Sequence, residues 1–189
     1  MDDPFEAHAA EYDRWFEEHP AEFRAELARV RRMLPAPGPR TVEVGAGSGR
    51  FAAALGVPLG IEPSRALGRM ARERGVEVVR GRAEALPLRD GTCPGVLMVT
   101  VICFLGDPAP ALREARRVLE PGGILVLAFI ERGGAIERMY AAREGKRRFL
   151  SRARFYSADE VSALLRTAGL VPLEVDARGG FCVIAAGRA

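Results

Sequence analysis

Seven short apolar runs alternate with helical patterns along the 189-residue chain, and this alternation limits the fold more than any other feature. Near-continuous runs of Val, Ile and Leu that are separated by single helices predict a parallel sheet covered on both faces. The last two runs are joined only by Ala177-Arg178-Gly179-Gly180, which predicts a hairpin. We therefore expect an α/β chain with a doubly wound, seven-stranded, mostly parallel sheet and a C-terminal antiparallel hairpin. The predicted strands are 41–45, 59–62, 76–79, 96–102, 124–130, 170–175 and 181–186.

Helix start and stop signals fill the gaps between the predicted strands. Ser64 is an N-cap signal, and Ser157 with Glu160 forms a capping-box pattern. A chain of this length suits one domain, 1–189, because it can bury roughly 70% of its unfolded surface. The predicted helices are an amphipathic one from Pro20 to Leu34, a very short one at 50–55, and those at 64–74, 107–119 and 157–168.

Composition and charge narrow the classes of protein. The N-terminus is acidic and no apolar run approaches the ~20 residues that span a bilayer, so we expect a cytoplasmic chain without a membrane partner. A net charge of +3 does not favour wholesale binding of nucleic acid. Cys93, Cys103 and Cys182 are odd in number and widely spaced, which argues against disulfides and a metal site. We expect at least two of them to be small core residues.

The decapeptide 41–50, TVEVGAGSGR, carries the strongest chemical signal. Gly45, Gly47 and Gly49 follow a predicted strand, and alternating glycines let backbone amides lie directly against a ligand. Glu43 places a negative charge beside this loop, which repels a pyrophosphate and suits a ligand that carries an amino group or a sulfonium. The loop therefore favours a cation-bearing nucleotide over a dinucleotide.

Three further segments end at the same edge of the predicted sheet, where open α/β sheets bind their ligands. Glu62 closes the second strand within Gly60-Ile61-Glu62-Pro63-Ser64, and an acid at this place commonly chelates a ribose diol. The other two segments are 81–87 and 100–104. We expect these segments and the glycine loop to line one crevice.

Together these motifs resemble those of a class I S-adenosylmethionine-dependent methyltransferase of the small-molecule, ubiquinone-biosynthesis-like kind. The resemblance covers most of the chain and implies a Rossmann-like fold, with S-adenosylmethionine as the cofactor and S-adenosylhomocysteine as its product. It is carried by Val44-Gly45-Ala46-Gly47-Ser48-Gly49-Arg50, Ile61-Glu62-Pro63-Ser64, Ala83-Glu84-Ala85-Leu86-Pro87 and Leu119-Glu120-Pro121-Gly122-Gly123.

The resemblance also implies which residues hold the cofactor. It assigns the methionine moiety to Glu43 and the glycine loop, the ribose hydroxyls to Glu62, and the edge of the adenine to residues around Ala83 and Glu84. Arg82 stands where the family often has an acid that receives the adenine amino group, which leaves that contact to a backbone carbonyl. The expected cofactor-binding residues are Tyr12, Glu43, Gly45, Ala46, Gly47, Gly49, Glu62, Pro63, Ala83, Glu84 and Thr100.

Segments at both sides of this core have alternative interpretations. The aromatic residues of 12–16 predict either a lid over the methionine end or a hydrophobic anchor, and we expect 1–34 to form a helical lid. Residues 131–156 interrupt the strand–helix rhythm above the carboxyl edge, so we expect a substrate cap there. Within it, the arginine-rich segment 146–156 predicts either a contact with an anionic substrate or RNA, or a solvated face.

Two other chemistries fit the sequence poorly. The spacing G-x-G-x-G, followed directly by Arg50, differs from the G-x-G-x-x-G of dinucleotide binders, which weakens a dehydrogenase interpretation. The chain lacks the Asn/Asp-Pro-Pro-Tyr run of exocyclic-amine methyltransferases, and Cys93-Pro94 reverses the Pro-Cys order of cytosine C5 enzymes. We therefore do not expect DNA as a partner.

The expected reaction is an in-line displacement from a sulfonium, in which alignment and a dry pocket matter more than a strong acid or base. His8 and His19 are the only histidines, and lone surface histidines are rarely catalytic, so no catalytic residue is assigned. We expect methyl transfer from S-adenosylmethionine to a small-molecule acceptor. An RNA or protein methyltransferase and a non-catalytic S-adenosylmethionine-binding protein stay open as alternatives.

Overall fold

Seven strands form a single sheet in the computed structural model, which describes residues 4–141, 149 and 153–188. In chain order they are β1 (Val42–Val44), β2 (Leu59–Ile61), β3 (Glu77–Val79), β4 (Cys93–Val99), β5 (Leu119–Ile130), β6 (Leu170–Arg178) and β7 (Phe181–Arg188). The sheet order is β3-β2-β1-β4-β5-β7-β6. Strands β1 to β5 pair in parallel, and β7 lies antiparallel between β5 and β6. The predicted doubly wound sheet and its C-terminal hairpin are confirmed.

Helices connect these strands and begin at several of the capping residues that the sequence predicts. They are α1 (Pro4–Ala7), α2 (Ala9–Glu18), α3 (Pro20–Met33), α4 (Arg50–Leu55), α5 (Arg65–Glu73), α6 (Pro108–Val118), α7 (Ala135–Ala141) and α8 (Ala158–Thr167), with a 3-10 helix at Ile102–Phe104. Ser64 Oγ accepts a hydrogen bond from the Leu67 amide (3.1 Å), and Ser157 and Glu160 form the reciprocal capping box of α8. None of the described helices is long and apolar enough to cross a membrane, and a cytoplasmic location stays a prediction.

The end of β4 differs from the sequence prediction. The apolar run 96–102 predicts one strand, but β4 ends at Val99. Thr100 adopts a φ of +55°, outside the extended region typical of strands, and the chain then enters the 3-10 helix. The turn brings the residues after β4 to the edge of the sheet, whereas a continuing strand would carry them away from it.

The start of β5 also differs. The sequence predicts that Pro121-Gly122-Gly123 forms a turn before the strand, yet these residues lie within β5, which begins at Leu119. Leu119 pairs with Cys93, and the register then shifts before Gly95 pairs with Ile124. The turn-forming residues are therefore accommodated as an irregularity of the β4–β5 pairing.

Helices cover both faces of the sheet, as the apolar strands require. On one face α6 and α8 bury Leu112 and Leu165 against the strands. On the other face α2 to α5 contribute a second cluster that includes Phe16, Val30 and Phe51. The described residues include no group of His, Cys, Asp or Glu that could hold a metal ion. The core interpretation of the cysteines is confirmed, because all three are buried and free: Cys93, Cys103 and Cys182.

A buried carboxylate fixes the C-terminal hairpin to α3. The Asp176 side chain is 4% exposed and accepts hydrogen bonds from Arg178 Nε (2.6 Å), Arg29 Nε (3.1 Å) and Arg32 Nη2 (3.2 Å). The hydrogen bonds from Arg178 and Arg29 hold the pKa of Asp176 below its usual range, although burial opposes them. This cluster involves β6, at the edge of the sheet opposite β3.

Candidate functional site

A cavity of about 360 Å³ opens at the carboxyl ends of β1, β2, β3 and β4. The strand order reverses between β1 and β4, and open α/β sheets bind ligands at such a reversal. The loops that follow these four strands all contribute to its wall, as the sequence predicts. The expected cofactor-binding residues that line it are Tyr12, Gly45, Gly47, Glu62, Pro63, Ala83, Glu84 and Thr100.

The other three expected residues lie beside this cavity. Glu43 and Ala46 line an adjoining cavity of about 10 Å³, which is close to the space of one water molecule. Gly49 lines neither cavity. A Cβ atom at Gly49 would lie 2.9 Å from Cα of Ala71, so the missing side chain permits α4 to pack closely on α5.

Gly45 and Gly47 allow the loop after β1 to pass closely under its neighbours. Gly45 has a φ of +70°, and a Cβ atom there would lie 2.4 Å from Cγ2 of Val101. Gly47 has a φ of +55°, and a Cβ atom there would lie 3.4 Å from the ring of Tyr12. A side chain at either position would be strained and would fill the space under Val101 or Tyr12.

Glu62 ties the glycine loop to the loop after β2. Its residue is 5% exposed, and its Oε2 accepts a hydrogen bond from the Gly47 amide at 2.8 Å. Its Oε1 accepts one from the Ser64 amide at 2.9 Å. Glu62 therefore holds the two loops together and lines the cavity.

Glu43 is a buried carboxyl group with unused hydrogen-bonding capacity. It is 2% exposed, and none of the described residues donates a hydrogen bond to its Oε2. Burial raises the pKa of Glu43 well above its ordinary value; the charge of Glu62 adds to this effect and a hydrogen bond from the Ala52 backbone opposes it. A cationic group placed against Glu43 would satisfy this oxygen and favour the ionised carboxylate.

Thr100 is the described non-glycine residue with a positive φ. Its amide donates to the Ala128 carbonyl (2.7 Å), and its own carbonyl accepts from Cys103 Sγ (3.1 Å). A β-branched residue in this region costs about 1 to 3 kcal/mol, and such strain clusters at ligand sites. The strain occurs where Thr100 lines both cavities.

The N-terminal helices are fixed across the cavity at two points. In α1, Glu6 Oε2 accepts hydrogen bonds from Ser64 Oγ (2.6 Å) and the Ala66 amide (3.2 Å) at the start of α5. In α2, the Asp13 carboxylate accepts hydrogen bonds from Arg50 Nε (2.8 Å) and Arg74 Nη2 (2.7 Å). These two anchors hold the intervening residues over the glycine loop.

Two ionisable side chains of α2, Asp13 and Tyr12, have fixed protonation states at neutral pH. Burial alone would raise the pKa of Asp13, which is 5% exposed, but hydrogen bonds that include those from Arg50 and Arg74 lower it to about 2. Burial raises the pKa of Tyr12, and the carboxylates of Glu62 and Glu43 raise it further. Asp13 is therefore ionised and the Tyr12 hydroxyl is protonated.

Several lining residues were not among those expected from the sequence. Phe104 ends the segment 100–104, and the position of this segment after a predicted strand could have indicated that Phe104 lines the cavity. Phe5 and Phe149 lie within the segments expected to form the lid and the substrate cap, but no pattern marked these two positions individually. Arg82 also lines the cavity and lies 3.6 Å from Glu84 at Oε1. The remaining unexpected lining residues are Pro4, Leu67, Val99, Val101 and Leu105.

Other predicted features lie away from the cavity or outside the described residues. His8 and His19 line neither cavity, and His19 Nδ1 lies 2.9 Å from the Trp15 carbonyl oxygen. Residues 146–148 and 150–152 of the arginine-rich segment lie outside the described residues. Its contact with an anionic substrate or RNA therefore stays a prediction.

Comparison with known proteins agrees with this arrangement. Residues 42–127 match a family model described as a methyltransferase domain. Among solved structures, the chain is similar to a SAM-dependent methyltransferase from Thermotoga maritima that is described as a possible histamine N-methyltransferase. The two share 37% identity with a TM-score of 0.89, and the match covers 98% of each chain.

Curated relatives extend the comparison. The malonyl-[acyl-carrier protein] O-methyltransferase of Geobacter sulfurreducens is 30% identical over 191 residues, covering 90% of this chain and 70% of its own length. An uncharacterised protein of Mycobacterium tuberculosis is 39% identical over 85% of this chain, which spans 58% of that protein's length. The chain belongs to the family of S-adenosylmethionine-dependent methyltransferases. The resemblance to small-molecule methyltransferases is confirmed.

Proposed function

We propose that this methyltransferase moves a methyl group from S-adenosylmethionine to a small-molecule acceptor and releases S-adenosylhomocysteine. The observation that carries the proposal is the pair of buried acids at one crevice. Glu62 is a buried acid that lines the larger cavity, and Glu43 holds an unsatisfied oxygen in the adjoining one. A ligand with a hydroxylated ribose and a cationic amino acid end matches both demands.

The proposed cofactor contacts follow the order of the strands. Glu43, with Gly45, Ala46 and Gly47, would hold the methionine end. Glu62 and Pro63 after β2 would hold the ribose. Ala83 and Glu84 after β3 would contact the edge of the adenine ring. Tyr12 and Thr100 would flank the methionine end, since they line both cavities. We propose only an indirect role for Gly49, because it packs against α5.

The cofactor supplies a methyl group already activated on a sulfonium, so the chain has to align the reactants and exclude water. Good alignment alone contributes up to about 7 to 11 kcal/mol in favourable cases. We propose that residues 1–34 act as a lid, because Glu6 fixes α1 to the start of α5 and Asp13 fixes α2 to Arg50 after the glycine loop. The Tyr12 hydroxyl keeps its proton and contributes shape and a hydrogen-bond donor.

A small acceptor is supported by one of the relatives. The similar protein of Thermotoga maritima is described as a possible histamine N-methyltransferase, and histamine is a small amine. Residues 131–156 are proposed as the acceptor cap, in one domain with the rest of 1–189. The support is that Phe149 lines the cavity and Glu131 bridges to Tyr156.

Calorimetric titration with S-adenosylhomocysteine tests the cofactor assignment. Glu62→Ala removes a charged acceptor, which is worth about 1.5 to 3 kcal/mol, so we expect the affinity to fall about tenfold to a hundredfold. Glu120→Ala is the matched control, because Glu120 pairs with Arg40 (3.2 Å) away from the cavity. Absence of binding of both S-adenosylmethionine and S-adenosylhomocysteine to the unaltered protein would contradict the proposal.

A further inference from the structure

The N-terminus of α5 is capped by two side chains, and one of them comes from the lid. Ser64 Oγ accepts a hydrogen bond from the Leu67 amide (3.1 Å), which is the local N-cap. Glu6 Oε2, from α1, accepts a hydrogen bond from the Ala66 amide (3.2 Å). The first amides of a helix have no acceptor within the helix, and a negative charge is favoured beside them. Helix α1 therefore supplies part of the cap of α5.

Ser64 connects the lid with the acid that is proposed to hold the ribose. Its hydroxyl donates to Glu6 Oε2 at 2.6 Å, and its Oγ also lies 3.5 Å from the Phe5 carbonyl oxygen. Its amide donates to Glu62 Oε1 at 2.9 Å. Glu62 Oε2 in turn accepts from the Gly47 amide at 2.8 Å. A continuous chain of hydrogen bonds thus runs from α1 to the glycine loop.

The charge of Glu6 strengthens this chain. The hydrogen bonds from Ser64 and the Ala66 amide lower the pKa of Glu6, so its carboxylate is ionised at neutral pH. An ionised acceptor shortens a hydrogen bond and polarises the donating hydroxyl, which then accepts more strongly from the Leu67 amide. Ser64 is 4% exposed, so water has little access to this hydroxyl while α1 is in place. Loss of Glu6 would weaken the cap and loosen the backbone of Ser64 that fixes Glu62.

The residue next to Glu6 reaches across the cavity that the cofactor is proposed to occupy. Phe5 lines this cavity. Its carbonyl lies beside Ser64, after β2, whereas its ring lies 4.9 Å from the ring of Phe104, after β4. Strand β1, which leads into the glycine loop, lies between β2 and β4 in the sheet. The attachment of α1 to Ser64 therefore closes the cavity from its β2 side to its β4 side.

We propose that Ser64 is a positioning residue that couples ribose binding at Glu62 to closure of α1 through Glu6; this rests on the proposed methyltransferase function. The Ser64 amide fixes one oxygen of Glu62, and the Ser64 hydroxyl holds Glu6. Two events that need one residue in the same arrangement strengthen each other, and such coupling is reciprocal. Closure of α1 raises the affinity for the ribose, and ribose binding stabilises the closed α1 by the same factor.

A cycle of two ligands and two proteins tests the coupling. The ligands are S-adenosylhomocysteine and its 2′,3′-dideoxy analogue, which lacks both ribose hydroxyls, and the proteins are the unaltered chain and Glu6→Gln. By calorimetry, we expect Glu6→Gln to bind S-adenosylhomocysteine about fivefold more weakly and to bind the analogue within about twofold of the unaltered protein. Equal weakening of both ligands would overturn the coupling, because a lid that only covers the ligand does not distinguish its hydroxyls.

Variants of Ser64 separate the coupling from helix capping. Ser64→Ala removes the hydroxyl and keeps the amide, and we expect the same selective loss as in Glu6→Gln. Ser64→Thr keeps a hydroxyl that can cap the helix, so the affinity for S-adenosylhomocysteine should return to within about twofold of the unaltered protein. Ser157→Ala is the matched control, because Ser157 caps α8 and lines neither cavity. A selective loss in Ser157→Ala, or none in Ser64→Ala, would overturn the proposal.

Hydrogen exchange of α1 measures the reciprocal effect. The His8 amide donates to the Pro4 carbonyl at 2.9 Å, so its exchange follows the opening of α1. At equal saturation, S-adenosylhomocysteine should slow this exchange more than the dideoxy analogue does. Equal slowing by the two ligands would contradict the coupling.

Binding to the unaltered protein distinguishes this inference from the function on which it rests. If the protein binds neither S-adenosylmethionine nor S-adenosylhomocysteine, the proposed function fails. If it binds S-adenosylhomocysteine and Glu6→Gln weakens both ligands equally, only the role of Ser64 is wrong. If it binds the dideoxy analogue as tightly as S-adenosylhomocysteine, the ribose contact of Glu62 and the coupling are both wrong.

Discussion

At the scale of single residues, Glu43 combines a 2% exposed carboxyl group with an oxygen to which no described group donates a hydrogen bond. Burial of this group disfavours its ionised form in the ligand-free protein. The same position lets the carboxylate meet a cationic group of a ligand in a small cavity that excludes most water. Glu43 is therefore expected to lower the stability of the ligand-free protein and to raise the affinity for a cationic ligand.

Glu43→Gln separates these two effects. The amide is neutral, so at pH 7.5 we expect the free energy of unfolding without ligand to rise by about 1 to 3 kcal/mol. We expect the affinity for S-adenosylhomocysteine to fall about tenfold, because the ligand's amino group loses a charged partner. Urea unfolding and calorimetry measure the two quantities. A variant that is destabilised and still binds normally would show that Glu43 has a purely structural role.

At the scale of elements, α2 is held to the glycine loop through charged groups. Asp13 accepts hydrogen bonds from Arg50 and Arg74, and Arg74 Nη1 also donates to the Ser48 carbonyl at 2.9 Å. One guanidinium thus contacts both the lid and the loop that is proposed to hold the cofactor. Release of a bound ligand is expected to require separation of these contacts.

Asp13→Asn weakens this attachment while keeping the shape of the side chain. We expect the dissociation rate of S-adenosylhomocysteine, followed by stopped-flow fluorescence, to rise about tenfold, since substitutions at a binding interface act mainly on dissociation. The free energy of unfolding should fall by about 1.5 to 3 kcal/mol through loss of charge-assisted hydrogen bonds.

Asp176→Asn is the matched control for the lid variant. Asp176 is also buried and bonded to arginines, but it lies on β6, remote from both cavities. We expect a similar loss of stability with less than a twofold change in the dissociation rate. If both variants accelerate dissociation equally, the effect of Asp13 is a general loss of stability.

At the scale of the whole molecule, Asp13 and Glu43 have pKa values shifted in opposite directions, so they have opposite effects on how the stability depends on pH. The pKa of Asp13 is lowered to about 2, so its contribution is present above the unfolded value of about 3.9 and is lost as the pH falls toward 2. The pKa of Glu43 is raised, so its protonated form favours folding at low pH, and this advantage is lost as the pH rises. We expect the maximal stability of the ligand-free protein to lie on the acidic side of neutral pH.

Saturation with S-adenosylhomocysteine should move this maximum toward neutral pH, because a cation beside Glu43 favours the carboxylate. Urea unfolding between pH 4 and pH 8, with and without the ligand, measures the shift. The Glu43→Gln variant should have a flatter profile whose maximum responds less to the ligand. An identical shift in that variant would assign the pH dependence to another group.

Local sequence signals predicted the elements with short-range causes. Ser64 and Ser157 begin their helices because each cap bonds to an amide three residues away. Strand ends were less predictable, because they depend on pairing with distant segments. The positive φ of Thr100 ends β4, and pairing of Leu119 with Cys93 draws the expected turn at 121–123 into β5.

In the candidate site, too, features with local causes were predictable from the sequence and features that depend on distant segments were not. Glu62 and the glycines at 45 and 47 were predictable, because residue type and spacing within one loop already determine the backbone space and the charge offered to a ligand. The role of Gly49 in cofactor binding stays a prediction, and the contact with Ala71 of another helix was not predicted from the sequence. The spacing of the motif does not reveal which neighbour approaches each glycine.

The sequence by itself determined the class of fold, the family and the position of the glycine loop. Apolar periodicity, helix caps and glycine spacing are patterns within a few neighbouring residues, so they can be read without the tertiary structure. Only the tertiary structure decided that Asp13 meets Arg50 and Arg74, and that Phe5, Phe104 and Phe149 form one wall. These groups come from separate parts of the chain. The order of strands in the sheet brings them together, and no local pattern encodes that proximity.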